Sequence, residues 1–102
     1  MKLIMVACIK EHKDIVTSLF DVSRISILSI SEATGHKNIQ PVNLHDNWFG
    51  KAGEEFSSLL FFSFTGEDQA IQLLSHINAY NDKAKGDFPI HAFMLGVEAH
   101  SV

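Results

Sequence analysis

The stretch Leu3-Ile4-Met5-Val6-Ala7-Cys8-Ile9 decides the fold, because it is apolar at every position. A strand with one solvated face alternates apolar and polar residues, so an unbroken apolar run of this length predicts a strand buried on both faces. A second run, Phe56-Ser-Ser-Leu-Leu-Phe-Phe-Ser-Phe64, is aromatic and strongly apolar. We therefore predict two strands of one sheet, over residues 3–9 and 56–64.

The segments around these strands predict two helices and two further strands. Apolar residues at helical spacing predict both helices, and Thr65, which two acidic residues soon follow, is the predicted N-cap of the second. In the second strand the alternation changes phase between Ile27 and Leu28, which indicates either the end of a turn or a bulge. The predicted elements are strands at 3–9, 25–32, 56–64 and 88–97 and helices at 11–23 and 65–80.

This β-α-β-β-α-β order predicts an α+β fold, the ferredoxin-like sandwich, in which a four-stranded antiparallel sheet carries both helices on one face. The helices leave the other face of the sheet open, although the strands at 3–9 and 56–64 are apolar on both sides. We therefore expect another copy of the chain to cover the open face. The alternative is that the long loop, or the residues after Val97, fold back over it.

Length and composition limit the class of protein. The 102 residues are enough for one domain, which we expect to span residues 1–102. The formal net charge is −4 and the Lys and Arg residues are scattered, which argues against nucleic-acid binding. The single cysteine, Cys8, indicates a reducing compartment, and no apolar segment is long enough to span a bilayer. We therefore predict a cytoplasmic protein.

Residues 33–55 show no periodic pattern, and they include two histidines, the only tryptophan and three glycines. A connection of this length without regular structure is uncommon in a compact domain and is usually functional or disordered. We predict a long flexible loop here. His36 and His45 share this loop and could join a metal site across subunits, but solvated loop residues are the favoured interpretation, so we predict no metal ligands.

The sequence offers no nucleophile with its base and no nucleotide-binding glycine motif, so we predict no catalytic residues and no enzyme activity. Cys8 lies inside a core strand and is interpreted as an inert buried thiol. Two stretches combine glycine with lysine, Thr34-Gly35-His36-Lys37 and Lys83-Ala84-Lys85-Gly86-Asp87. That combination suits an anion such as phosphate, although a solvated turn is an equally good interpretation of each.

Several segments resemble the PII signalling proteins and their divergent PII-like relatives, in order and over most of the chain. Residues 1–10 are similar to the first PII strand, and residues 14–19 to the helix that follows. Ile30-Ser31-Glu32-Ala33-Thr34-Gly35-His36 resembles the segment that ends the second strand and opens the long T-loop. Residues 86–98 resemble the end of the PII B-loop and the last strand.

The resemblance implies a homotrimer with its sheets facing inward, which binds an adenine nucleotide in clefts between subunits and docks on a partner through the T-loop. The ligand-binding residues that it implies are Gly35, Lys37, Lys83, Lys85, Gly86 and Asp87, and the partner-binding residues are His45, Trp48 and Phe49. Of the family's B-loop pattern only Gly86-Asp87 is present, and the basic C-terminal segment is absent. With these departures the chain is more similar to the divergent PII-like relatives, which are associated with bicarbonate and heavy-metal transport.

We therefore predict a PII-like regulatory protein that binds a small anionic ligand and controls a partner such as a membrane transporter. No cofactor is assigned with certainty, and an adenine nucleotide is the candidate. The alternative is a CutA-like metal-binding or metal-tolerance trimer, since CutA shares the architecture.

Overall fold

The computed structural model describes residues 1–36 and 55–101. This part of the chain folds in the predicted β-α-β-β-α-β order, with a short 3-10 turn, Lys10–His12, after the first strand. The elements are β1 (Lys2–Ile9), α1 (Lys13–Val22), β2 (Ser29–His36), β3 (Glu55–Thr65), α2 (Glu67–Ala84) and β4 (His91–Gly96). The strands form one antiparallel sheet in the order β2-β3-β1-β4, which confirms the predicted α+β fold.

The second strand begins and ends later along the chain than predicted. Helix α1 is followed by a left-handed residue, Arg24 (φ 62°), and the Ile25 N–H donates to the Phe20 carbonyl oxygen at 3.0 Å. This C-terminal cap keeps the chain out of the sheet until Ser29, so the phase change at Ile27 and Leu28 marks the end of a turn. At its far end β2 pairs with β3 as far as His36.

The second helix also differs from the prediction at both ends. Thr65 is the last residue of β3, and Gly66 is the N-cap residue of α2, with no side-chain capping hydrogen bond. The helix continues to Ala84, beyond its predicted end at residue 80. Helical backbone hydrogen bonds, which continue to the one from the Lys85 N–H to the Asn81 carbonyl oxygen, outweigh the weak helix propensity of Asn81 and Asp82.

The hydrophobic core lies between the sheet and the two helices. Alternate residues of β1 point into it, and Phe61 of β3 stacks on Phe20 of α1 with ring centroids 5.8 Å apart. The fully buried side chains at its centre include Ile4, Val6, Val16, Phe20, Phe61 and Leu73. The remaining residues of each strand therefore point to the opposite side of the sheet.

That opposite side, which we call the open face, is apolar across three strands. In β1, Leu3 pairs with Phe64 and Leu95, and in the next row Met5 pairs with Phe62 and Phe93. Phe64 is 60% exposed and Leu95 45% exposed. Residues 98–101 are themselves exposed, so the described C-terminal residues do not cover this part of the face. Strand β1 is thus a central strand, as predicted, and is buried on its helix side, whereas Leu3 and Met5 on the open face are only half-buried in the single chain.

Candidate functional site

The two glycine-lysine stretches lie at the same end of the sheet. Strand β1 runs toward this end and stops at Ile9, β2 stops there at His36, and β3 and β4 start there. Gly35 is the second-last residue of β2, and residues 85–89, which we call the 85–89 turn, connect α2 to β4. The antiparallel topology therefore brings both stretches to one end of the sheet.

Within one chain, however, the two stretches lie at opposite edges of that end. The sheet order places β2 at one edge and β4 at the other, with β3 and β1 between them. Three interstrand spacings separate the edge strands by about 14 Å. A phosphate-sized anion cannot contact Gly35 and the 85–89 turn of the same chain at once.

The 85–89 turn is exposed along its whole length. Lys85 has a left-handed backbone conformation (φ 48°) directly after α2. A methyl group added at Gly86 would meet no atom within 4 Å, so the fold does not require glycine there. Asp82 and Asp87 balance Lys83 and Lys85, so any preference for anions must come from the placement of the lysines and backbone N–H groups rather than from net charge.

Asn81 is a residue at this end that the sequence reasoning did not single out. Its side-chain Nδ2 donates to the Ile90 carbonyl oxygen at 2.7 Å, and the Ile90 N–H donates to Asn81 Oδ1 at 2.9 Å. Asparagine near a helix C-terminus is a common pattern, but its partner, nine residues away, follows only from the three-dimensional fold.

Lys10 and Glu32 form an ion pair near the same end, with Lys10 Nζ 2.6 Å from Glu32 Oε1. The hydrogen bond from Lys10 and its charge, with a smaller contribution from Lys13, lower the pKa of the Glu32 carboxyl. The pair is solvent-exposed, so its contribution to stability is small. It does occupy the Lys10 ammonium, which is therefore less available to an anionic ligand.

Of the other predicted site residues, Gly35 lies in the described part of the chain and the rest lie outside it. Gly35 is buried in β2, opposite Phe56 in the register. Most of the predicted loop at 33–55 lies outside the described residues, although its first four residues belong to β2 and Glu55 belongs to β3. The predicted site residues outside the described part are Lys37, His45, Trp48 and Phe49.

The described part of the chain contains neither a candidate metal-binding cluster nor a candidate membrane-spanning helix. Residues 1–36 and 55–101 contain no cluster of three or more His, Cys, Asp or Glu side chains that could hold a metal ion. Across the same residues, neither helix is long and apolar enough to cross a bilayer.

Cys8 is buried in the core, and burial raises the pKa of its thiol to about 11. At about pH 8 its reactive thiolate fraction is then about 100-fold lower than that of an ordinary thiol. We expect iodoacetamide to alkylate Cys8 of the native protein at least about 100-fold more slowly than Cys8 of the protein unfolded in guanidinium chloride, as followed by mass spectrometry. Equal rates in the two states would show that the thiol is accessible and reactive.

The fold is shared with several solved structures. A signalling protein described as PII-like, from Thermus thermophilus, superimposes with a TM-score of 0.62 at 12% identity, over 91% of this chain and 82% of its own. CPII, a nitrogen regulatory PII-like protein from Thiomonas intermedia K12, matches with a TM-score of 0.59 at 14% identity, over 96% of this chain and 94% of its own. That CPII structure contains ADP, AMP and bicarbonate.

A DUF3240 family protein from Shewanella baltica matches with a TM-score of 0.54 at 14% identity, over 99% of this chain and 93% of its own. No protein-family model matches the sequence, and a search of curated proteins finds no match. The fold is thus that of the PII-like signalling proteins. The resemblance predicted from residues 1–10, 14–19, 30–36 and 86–98 is confirmed at the level of the fold.

Proposed function

We propose that this chain is a PII-like regulatory protein that acts as a homotrimer and not as an enzyme. In this proposal a small anionic ligand, with an adenine nucleotide as the leading candidate, binds in a cleft between subunits. The bound state is passed to a partner, such as a membrane transporter, through residues 33–55. The observation that carries the proposal is the placement of the two glycine-lysine stretches at one end of the sheet but at opposite edges.

A second copy of the chain resolves this separation. When two copies pack side by side, the β2 edge of one lies next to the β4 edge of the other. The end of β2 in one copy then approaches the 85–89 turn of its neighbour, and a ligand between them contacts both. A site of this kind is incomplete in a single chain, so ligand binding and assembly are coupled.

The open face supports the assembly part of the proposal. Leu3, Met5, Phe62, Phe93 and their neighbours form a continuous apolar surface on three adjacent strands. Soluble monomers rarely leave a large contiguous apolar patch in contact with water. Packing the open faces of several copies together removes this patch from water.

The ligand chemistry rests on lysine side chains and exposed backbone. The exposed 85–89 turn begins with Lys85, and Lys83 lies in the last turn of α2 just before it; lysine beside exposed backbone suits phosphate oxygens. CPII, which shares the fold, contains ADP and bicarbonate in one of its structures. ADP is therefore the first ligand to test, and bicarbonate is the second.

Calorimetric titration with ADP, ATP, AMP and cyclic AMP, with and without bicarbonate, tests the proposal directly. We expect saturable binding of at least one nucleotide, with a stoichiometry of one per chain in a trimer. Light scattering on the same sample reports the assembly. Absence of binding for every nucleotide would refute the nucleotide part, and a monomer at micromolar concentration would refute the intersubunit site.

The Gly86→Ala variant separates ligand contact from folding. Because an added methyl group meets nothing within 4 Å in the free protein, we expect an unchanged melting temperature. If phosphate oxygens approach the turn backbone, the same methyl group blocks them, and nucleotide affinity falls by about tenfold or more. The measurement is calorimetry beside a thermal melt.

Gly96→Ala is the matched control for this variant. Its added methyl group would lie 3.8 Å from Lys2 Nζ, an ordinary contact, and Gly96 ends β4 at the opposite end of the sheet. Nucleotide affinity is expected to be unchanged in Gly96→Ala. Equal affinities for both variants would argue that the ligand does not contact the 85–89 turn.

A further inference from the structure

Asn81 holds both ends of the 85–89 turn. Its backbone carbonyl oxygen accepts a hydrogen bond from the Lys85 N–H at 3.0 Å, where the turn leaves α2. Its side chain both donates to and accepts from the Ile90 backbone, at 2.7 and 2.9 Å, where the turn enters β4. One residue therefore fixes the entry and the exit of the turn.

The two side-chain bonds satisfy the Ile90 backbone at a point where the sheet ladder stops. The antiparallel pairing of β1 with β4 reaches Ala7 and His91 and includes no pair for Ile90. The Asn81 amide has donor and acceptor groups in a fixed plane, so it binds the N–H and C=O of Ile90 as a neighbouring strand would. Ile90 is 2% exposed, so this anchor is itself held in the core.

Burial gives the turn no comparable restraint. Residues 82–89 are all exposed, and the one large apolar side chain among them, Phe88, is 41% exposed, so packing restrains the turn in part at Phe88 alone. Lys85 also has the left-handed conformation that is unfavourable for a residue with a side chain. The hydrogen bonds of Asn81 thus join the two ends of a largely exposed turn.

We propose that Asn81 is the positioning residue of the ligand site, which keeps the 85–89 turn in the shape that receives the anion. This inference rests on the proposed function, because the turn is one half of the proposed cleft. A ligand that meets a preformed turn does not have to order it on binding, and the affinity is higher by the ordering cost avoided. Asn81 itself need not touch the ligand.

Two substitutions remove the side-chain hydrogen bonds in different ways. Asn81→Ala removes both bonds to Ile90. Asn81→Asp keeps the acceptor for the Ile90 N–H but replaces the donor with a carboxylate oxygen, which is repelled by the Ile90 carbonyl oxygen. For both variants we expect calorimetry to show ADP affinity reduced by about 10- to 100-fold, with native circular dichroism.

Hydrogen exchange supplies a readout that separates positioning from general stability. We expect the Ile90 amide to exchange faster in both variants, while the amides of β1 and β3 keep their protection. Ser63→Ala is the matched control, because it removes one side-chain hydrogen bond, from Ser63 Oγ to the Ile27 carbonyl oxygen, at the other end of the sheet. Its ADP affinity is expected to equal that of the wild-type protein.

The outcomes distinguish this inference from the function on which it rests. If the wild-type protein binds none of the nucleotides, the proposed function is refuted, and this inference is refuted with it. Wild-type protein that binds ADP, with unchanged affinity in Asn81→Ala and Asn81→Asp, refutes the positioning role alone. An equal loss of affinity in Ser63→Ala also refutes it, because the loss would then follow general stability.

Discussion

Replacing Phe64 with glutamate is expected to leave a folded monomer in place of the proposed trimer. Phe64 lies on the open face, paired with Leu3, and is 60% exposed in the single chain. In the monomer the new carboxylate is therefore solvated, and the fold loses little stability. In the proposed assembly the same carboxylate would be buried against apolar side chains without a partner, and an uncompensated buried charge costs about 3–5 kcal/mol.

A cost of this size weakens association by roughly a thousandfold, since each tenfold change corresponds to about 1.4 kcal/mol. Light scattering or sedimentation at micromolar concentration measures the change in mass, and circular dichroism confirms the fold. The same variant is expected to lose nucleotide binding, because the proposed cleft needs two copies. Leu95→Glu, on the other side of Leu3, is expected to act in the same way.

Ile71→Glu is the matched control. Ile71 is 50% exposed, close to the exposure of Phe64, but it lies on helix α2 and not on the open face. We expect Ile71→Glu to keep the mass of the wild-type assembly. Dissociation by both variants would show that the interface does not lie on the open face, and an unchanged mass for Phe64→Glu would exclude this face outright.

Phe61→Ala is expected to destabilise the domain by about 3–5 kcal/mol. Phe61 is fully buried on the helix side of β3 and stacks on Phe20 of α1. Its removal leaves a cavity between the sheet and that helix, and close-packed neighbours can fill it only in part. For a domain of about 100 residues this corresponds to a melting temperature lower by roughly 15–30 °C.

The measurement is best made in the Phe64→Glu background, where assembly does not add to stability. The difference in the free energy of unfolding with and without Phe61→Ala, measured with denaturant, then reports the contribution of the core alone. Ile71→Ala in the same background is the control, and because its side chain is half exposed we expect a loss below about 1 kcal/mol. A loss of this small size for Phe61→Ala would contradict the assigned faces of β3.

Much of the fold could be predicted because the apolar pattern reports burial directly. The unbroken run at 3–9 is buried on its helix side at Ile4, Val6 and Cys8 and carries apolar residues on its open side. The first and last residues of the strands and helices were less predictable. Thr65 has the chemistry of a capping residue, yet pairing with Lys2 keeps it in β3, because a ladder partner outweighs a local capping preference.

The candidate site could be predicted only as separate segments. Glycine and lysine together mark Gly35 and the 85–89 turn as places where an anion could approach backbone. The periodic pattern carries no information on the distance between them, and the sheet order puts them at opposite edges. The Asn81 bonds to Ile90 were likewise not predictable, because a side-chain amide can reach many backbone partners and only packing selects one.

The pattern of apolar and polar residues along the whole chain determined the element order, and the runs at 3–9 and 56–64 predicted an apolar open face, because alternation and its absence are properties of neighbouring residues. The tertiary structure alone decided which edges the ligand segments occupy, where β2 and α2 end, and which residue holds the 85–89 turn. Those features depend on contacts between residues distant in the chain, and no local pattern encodes such contacts.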